Sequence, residues 1–274
     1  MTTDRFKQFP RDLAARARTT RFGDIPVLLA HPDWERPAPF CLWLHGRTAN
    51  KELDPGRYLR WLRAGIAAVA VDLPGHGERA DPALQRPERS LDVMHQTISE
   101  IDPLLSALSS PEYREFFDQS RAAIGGMSLG GMATLRRLCD PHTFRAAAVE
   151  GTTGWLEGLY FPEDHSLPPW TRQPPDEVRP HVAALSTVAH MATFAPIPLL
   201  ALHSEADEML PFGVQQTFIG RLRDHYRTRH ADPGLIEFHH WPKTGAPKEH
   251  VGFGLVSNDA KNMQTDFLQR TLAP

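Results

Sequence analysis

Residues 121–131, Arg-Ala-Ala-Ile-Gly-Gly-Met-Ser-Leu-Gly-Gly, constrain this chain more than any other stretch. An apolar run ends in Gly126-Met127-Ser128-Leu129-Gly130 and passes straight into a segment with helical spacing. A strand that turns into a helix this sharply around a serine leaves room only for small residues two places before and two places after it. On such a turn the hydroxyl stands exposed at the carboxyl edge of a sheet, with a helix N-terminus just behind it. A pentapeptide of this kind arises by chance in about one chain in ten of this length, so the flanking strand and helix carry the argument.

The rest of the chain supplies that sheet. Short apolar runs without polar alternation occur at Phe40–Leu44, Ile66–Val71, Ala122–Ile124, Ala146–Glu150, Pro198–His203 and Leu235–Trp241. Strands of this composition belong to a sheet covered on both faces. Helical spacing separates them over Pro55–Ala64, Ser90–Leu108, the stretch after Ser128, Val214–His225 and Leu255–Leu272. Thr19–Ala30 reads as an antiparallel hairpin turning at Gly23-Asp24, and basic residues 5–18 read as a solvated surface helix. The expected fold is α/β: a doubly wound, mostly parallel sheet with helices on both faces, forming one domain over residues 1–274. One irregular insertion, Thr152–Ala195, carries Trp155, Tyr160, Phe161, Trp170 and Phe194. It reads as a small cap over the sheet's carboxyl edge, where open α/β sheets bind ligands. Many of the 25 prolines fall in 162–198, among apolar residues, which fits stiff loops rather than disorder.

Composition removes several classes. A formal charge of -3 gives no basic face for nucleic acid or an anionic membrane. No apolar stretch reaches the roughly 18 residues of a membrane span. The opening Met-Thr-Thr-Asp-Arg-Phe-Lys lacks the apolar core of a secretory signal, so a cytoplasmic location is expected. Cys41 and Cys139 sit in apolar surroundings and read as buried free thiols. With no Cys-x-x-Cys, no His-x-x-x-His on a helix and no Gly-x-Gly-x-x-Gly opening one, neither a metal site nor a dinucleotide site is expected. A homodimer is the generic expectation for the assembly.

A serine hydroxyl needs a base within hydrogen-bond reach, and the base needs an acid that fixes its tautomer. Asp207 lies just past the run Pro198–His203 and is the expected acid, with Glu205 and Glu150 as alternatives. His250 follows the last strand and precedes the last helix, so its loop can return to the serine. It is the expected base among 14 histidines, whereas His239 and His240 lie within a strand. Oxyanion donors are expected from the backbone N–H of Leu129, at the helix start, and of Arg47, in His45-Gly46-Arg47 after the Phe40–Leu44 strand. The Arg47 side chain is expected in solvent. Asp72-Leu-Pro-Gly-His-Gly-Glu78 reads as a tight turn in which Asp72 and His76 are structural.

In this order and context, His45-Gly46-Arg47, Asp72-Leu-Pro-Gly-His-Gly, Gly126-Met-Ser-Leu-Gly, Asp207 with Pro211, and His250 resemble the α/β-hydrolase fold superfamily. The resemblance runs from about Thr19 to the end. It is nearest the dienelactone-hydrolase-like and prolyl-oligopeptidase-like serine esterases, although the former use cysteine where this chain has Ser128. It implies acyl transfer on a small-molecule carboxylic ester, through an acyl-enzyme on Ser128, without metal or organic cofactor. A thioesterase or acyltransferase would use the same residues. A peptidase is less expected without a gating domain, and a non-catalytic binding protein of this fold would carry a broken triad. The aromatic residues of 152–195 suggest a preference for apolar acyl groups.

Overall fold

The computed structural model describes residues 9–162 and 175–274. Strands β1 (Ala17–Phe22) and β2 (Ile25–Ala30) form the expected hairpin. They are followed by β3 (Ala38–Leu44), β4 (Ala67–Val71), β5 (Phe117–Met127), β6 (Ala146–Glu150), β7 (Leu199–Ser204) and β8 (Ile236–Trp241). All eight make one sheet in the order β1-β2-β4-β3-β5-β6-β7-β8. β2 pairs antiparallel with β1 and β4, and every later pairing is parallel.

The helices are α1 (Arg11–Ala14), α2 (Pro55–Arg63), α3 (Ser90–Leu108), α4 (Leu129–Arg137), α5 (Leu156–Tyr160), α6 (Pro175–Leu185), α7 (Phe212–Thr228) and α8 (Ser257–Thr271). They divide between the two faces because strand side chains alternate. Phe40, Leu42 and Leu44 of β3 face a core shared with α3, α4, α6 and α7, through Ile101, Leu135, Val182 and Leu222. Cys41 and Trp43 face the opposite core, made by Tyr58 and Trp61 of α2 and Phe267 and Leu268 of α8. Burying a side chain of this size is worth about 1.5–3 kcal/mol, so both faces are anchored by apolar burial. This is the doubly wound α/β architecture, and no described helix is long and apolar enough to cross a membrane.

Two segments depart from the sequence expectation. Residues 5–18 are not a solvated helix: only Arg11–Ala14 is helical among the described residues, and β1 already begins at Ala17. Phe9 and Leu13 are buried with Trp61, so burial of two apolar side chains overrides the basic surface pattern. β5 is also far longer than Ala122–Ile124. Its polar first half, Asp118-Gln119-Ser120-Arg121, hides the strand in the sequence, and a register shift opposite β3 between Ala38 and Phe40 accommodates it.

Within 152–195 the described residues form α5, α6 and a 3-10 segment, Val188–Thr193. Trp170, expected in a cap, lies outside the described residues. Phe194 is buried in the main core, and Trp155 lies under the Arg221 guanidinium, which is 4.2 Å from the ring centroid. Both aromatic residues therefore serve packing.

Across the sheet, Arg57 of α2 meets Glu150 at the end of β6 through two hydrogen bonds of 2.7 and 2.8 Å, and it also meets Gln264 of α8. Burial works against the Arg57 charge, but Glu150 and Asp54 more than offset it and raise the guanidinium pKa. Removing Glu150 leaves the buried Arg57 charge to Asp54 alone, whereas removing Arg57 and Glu150 together takes both charges out of the interior. We therefore expect Glu150→Leu to destabilise the fold by about 3 kcal/mol, and Arg57→Met combined with Glu150→Leu to recover much of that loss. Urea unfolding of both variants checks this. A double variant as unstable as the single one would show that the pair's charge balance is not what matters.

Candidate active site

The site is built at the carboxyl ends of β3, β5, β7 and β8. β5 passes into α4 through Ser128, whose φ of 52° and ψ of -118° are unusual for a residue with a side chain. Such a conformation costs about 1–3 kcal/mol and persists only where its surroundings enforce it. Here the enforcement is lack of room. A Cβ on Gly130 would come within 2.1 Å of the Leu44 carbonyl oxygen, and one on Gly126 within 2.5 Å of the Gly130 backbone. Three hydrogen bonds hold the result. The Ser128 amide donates to the Glu150 carbonyl at 2.9 Å, while the Thr152 hydroxyl (2.8 Å) and the Met132 amide (2.9 Å) donate to the Ser128 carbonyl.

The structure brings three of the expected side chains into one chain of contacts. His250 Nε2 lies 2.9 Å from Ser128 Oγ, and His250 Nδ1 lies 2.8 Å from Asp207 Oδ2. A carboxylate accepts, so Nδ1 carries the proton and Nε2 is the lone pair facing the hydroxyl. Asp207 is held by its other oxygen, which accepts from the Met209 and Leu210 amides at 2.8 Å each. His203 donates from Nε2 to the Leu210 carbonyl at 2.9 Å, and burial lowers its pKa, so this neutral ring closes the turn around Asp207. Glu150, an alternative acid in the sequence, spends both carboxylate oxygens on Arg57, and Glu205 meets His240 at 2.7 Å.

Leu129 and Arg47 sit beside the serine. Leu129 opens α4, and the first intrahelical bond comes from Met132, so the Leu129 amide belongs to the helix end whose N–H groups lack intrahelical acceptors. Arg47 follows Gly46, which packs close enough that a Cβ there would touch Ser128 Cβ at 3.4 Å. Gly46, Arg47, Ser128 and Leu129 all line one cavity of about 420 Å³. Its other walls include Met94, Met127, Met132, Met209, Leu91 and Leu210, together with Lys248, and Tyr160 is the one lining phenyl-type ring among the described residues. The cavity is thus apolar but lined by methionine, where the sequence suggested aromatic rings. The Arg47 side chain also differs from expectation. It is half-buried in the cavity wall and donates to the Gln85 carbonyl.

His45 and the Asp72–Glu78 turn brace the Arg47 loop. His45 donates from Nδ1 to the Gly46 carbonyl at 2.6 Å and accepts the Leu73 amide on Nε2 at 3.0 Å. Burial pushes its pKa down to about 4, against the pull of the Gly46 carbonyl. Buried Asp72 accepts from the amide of Lys51 and from its ammonium, both at 2.9 Å, and from the Glu78 amide at 2.9 Å. Asp72 and His76, which donates to the Pro74 carbonyl at 2.8 Å, therefore act within the turn itself.

Sequence reasoning missed Glu249, next to His250. One of its oxygens accepts from the Thr244 amide (2.6 Å), the Thr244 hydroxyl (2.8 Å) and the Ser204 hydroxyl (2.9 Å); the other accepts from the Gly245 amide at 2.9 Å. The Thr244 contacts lead in holding its pKa down at about 2. The carboxylate ties the end of β7, which carries Asp207, to the loop that carries His250. Lys248 and Glu249 both have positive φ, so the loop needs such a tie. Only the acidic residue beside the histidine hinted at this, and its partners come from two separate strand ends.

The model of the Prolyl oligopeptidase family matches residues 58–272. A curated protein of Bacillus subtilis (strain 168), named "Putative esterase YitV", is 24% identical over 201 residues, which are 70% of this chain and 77% of that one. Among solved structures, a puromycin-hydrolyzing peptidase of Mycobacterium tuberculosis superposes with a TM-score of 0.72 at 17% identity, covering 97% of this chain and 42% of that one. A cold-adapted esterase from an Arctic intertidal metagenomic library superposes at 0.65 with 17% identity, covering 94% and 93%.

Two outcomes follow from the bracing. Glu249→Ala should lower kcat by about tenfold or more, since small displacements of reacting groups cost this much, with KM little changed. Glu249→Gln, which keeps one acceptor, should lose less. Unchanged kcat in both variants would remove Glu249 from the positioning of His250. His45 makes stability depend on pH. Between about 6.5 and 4 the unfolded chain binds a proton at His45 that the folded chain refuses, so stability falls as pH falls through that window. The loss should approach about 3 kcal/mol, and urea unfolding from pH 7 to 4.5 should show a shallower decline in His45→Gln. Parallel declines would assign the acid sensitivity elsewhere.

Proposed function

Because the chain belongs to the prolyl oligopeptidase family and is a serine hydrolase, we propose that it cleaves a carboxylic ester of a small or medium acyl group through an acyl-enzyme on Ser128. The observation that carries this reading is the run of contacts from Ser128 Oγ to His250 Nε2 and from His250 Nδ1 to Asp207, opening into an apolar cavity of about 420 Å³.

In this mechanism His250 takes the Ser128 proton as Oγ attacks the ester carbonyl. Asp207 stabilises the imidazolium that forms and does not itself take the proton. The oxyanion accepts hydrogen bonds from the Leu129 and Arg47 amides, which are fixed before the reaction and need no reorganisation. Collapse breaks the bond to the leaving oxygen, and His250 returns its proton to the departing alcohol. Water then enters the alcohol's place, loses a proton to His250 and attacks the acyl carbonyl. Release of the carboxylic acid restores Ser128 with its proton. The methionine and leucine walls fit an apolar acyl chain, since they offer dispersion contacts and few polar partners.

A peptidase reading has support from the family's name and from the named activity of the puromycin-hydrolyzing neighbour. The ester reading draws on the esterase name of the curated relative, and on an esterase neighbour of which this chain covers 93%. The two differ in leaving group, so p-nitrophenyl esters of increasing acyl length should be compared with p-nitroanilides of the same acyl groups. We expect ester turnover to exceed anilide turnover at every length and to vanish in Ser128→Ala. Faster anilide cleavage would favour the peptidase.

A further inference from the structure

Several arginines drawn out of water in this protein are matched by carboxylates. Arg57 meets Asp54 and Glu150, Arg79 meets Glu100, and Arg137 meets Asp102. Among the described residues, Arg47 has no carboxylate within ion-pair distance. Its guanidinium is half-buried in the wall of the cavity that holds Ser128, yet it bonds only the neutral Gln85 carbonyl. Glu88 is the one carboxylate that acts on it, from beyond ion-pair distance. Burial accordingly lowers the Arg47 pKa, with Tyr160 and Glu88 offsetting only part of it.

The guanidinium is also fixed in place. Gln85 is itself held, by its backbone amide on the Asp81 carbonyl at 3.1 Å and by its side-chain amide on the Gly75 carbonyl at 2.8 Å. A planar fork of five N–H donors with one neutral acceptor, held beside an apolar cavity, suits a bidentate carboxylate that arrives with a ligand. A single positive charge matches a carboxylate better than a doubly charged phosphate.

We propose that the Arg47 side chain recognises a carboxylate on the substrate, so that the acyl group cleaved here ends in a free carboxylate, as in a half-ester of a short dicarboxylic acid. This deepens the proposed esterase reading and rests on it. The Arg47 amide is placed for the oxyanion, and its guanidinium for the distal carboxylate. The two ends of the acyl group are therefore one arginine side chain apart, which requires a short spacer. Leu91, Met94 and Met132 supply apolar walls for its methylenes. The reaction that supplies such a substrate would be one that esterifies a single end of a dicarboxylic acid.

The test uses an alkyl fluorophosphonate ending in a carboxylate and its methyl-terminated isostere, with labelling followed by intact mass. Phosphonylation needs the serine nucleophile but no ester turnover, so it separates this proposal from the ester reading. We expect the carboxylate probe to label the native protein about tenfold faster or more, the gain typical of a charge-assisted hydrogen bond. The preference should fall towards one in Arg47→Met, reverse in Arg47→Glu and weaken with added salt. Using the ratio within each variant removes any general loss of reactivity. A native ratio of one or less, or the same ratio in Arg47→Met, would overturn the carboxylate site, assign Arg47 to tethering the Gln85 loop, and leave the esterase reading standing. Labelling by neither probe would remove the serine nucleophile and both readings with it.

Discussion

The crossing of α4 over the end of β3 is the constraint on which the rest of the site depends. Gly130 lies against the Leu44 and His45 carbonyls with no space for a side chain, and Gly126 lies against Gly130 in turn. That closeness forces the chain to reverse within one residue, and Ser128 takes the strained conformation that results. The same crossing puts the first amides of α4 next to the loop leaving β3, so the serine hydroxyl and the proposed oxyanion donors are set by one packing contact. A looser crossing would separate them together.

Charge then fixes what packing leaves free. Arg57 and Glu150 join α2 to the end of β6, whose Glu150 carbonyl receives the Ser128 amide. Asp72 draws Lys51 and Glu78 together and so anchors the far side of the Arg47 loop. Glu249 joins the strand ends that carry Asp207 and His250. These groups are withdrawn from bulk water or locked by several donors, where hydrogen bonds to charge are strongest. Each of the loops that meet at Ser128 thus has its own electrostatic brace, while the Arg47 guanidinium is held by a neutral carbonyl.

Much of this was legible in the sequence wherever one physical cause dominates locally. The glycines around Ser128 report crowding, and the unbroken apolar runs report a sheet covered on both faces. The order serine, aspartate, histidine along successive strand ends put Ser128, Asp207 and His250 at one edge, and the structure brings these side chains within hydrogen-bond distance. What stayed hidden depends on distant partners. The polar half of β5 is a strand only because β3 pairs with it. Phe9 and Leu13 are buried only because α2 offers Trp61. Glu249 and the Arg47 guanidinium look like ordinary surface charges until the loops that contact them are in place. The methionines of the cavity come from α3, the end of β5, α4 and the Asp207 turn, with no common spacing to reveal them.

The central claim is that Ser128 carries the acyl group between the two halves of the reaction. The direct measurement is rapid quenching of the native protein with a p-nitrophenyl ester, followed by mass analysis of the intact chain and of the peptide containing Ser128. The account requires a transient adduct of acyl mass on Ser128, formed in a burst with p-nitrophenol and missing from Ser128→Ala. Steady turnover with an unmodified Ser128 at every time point, or an adduct on another residue, would contradict it.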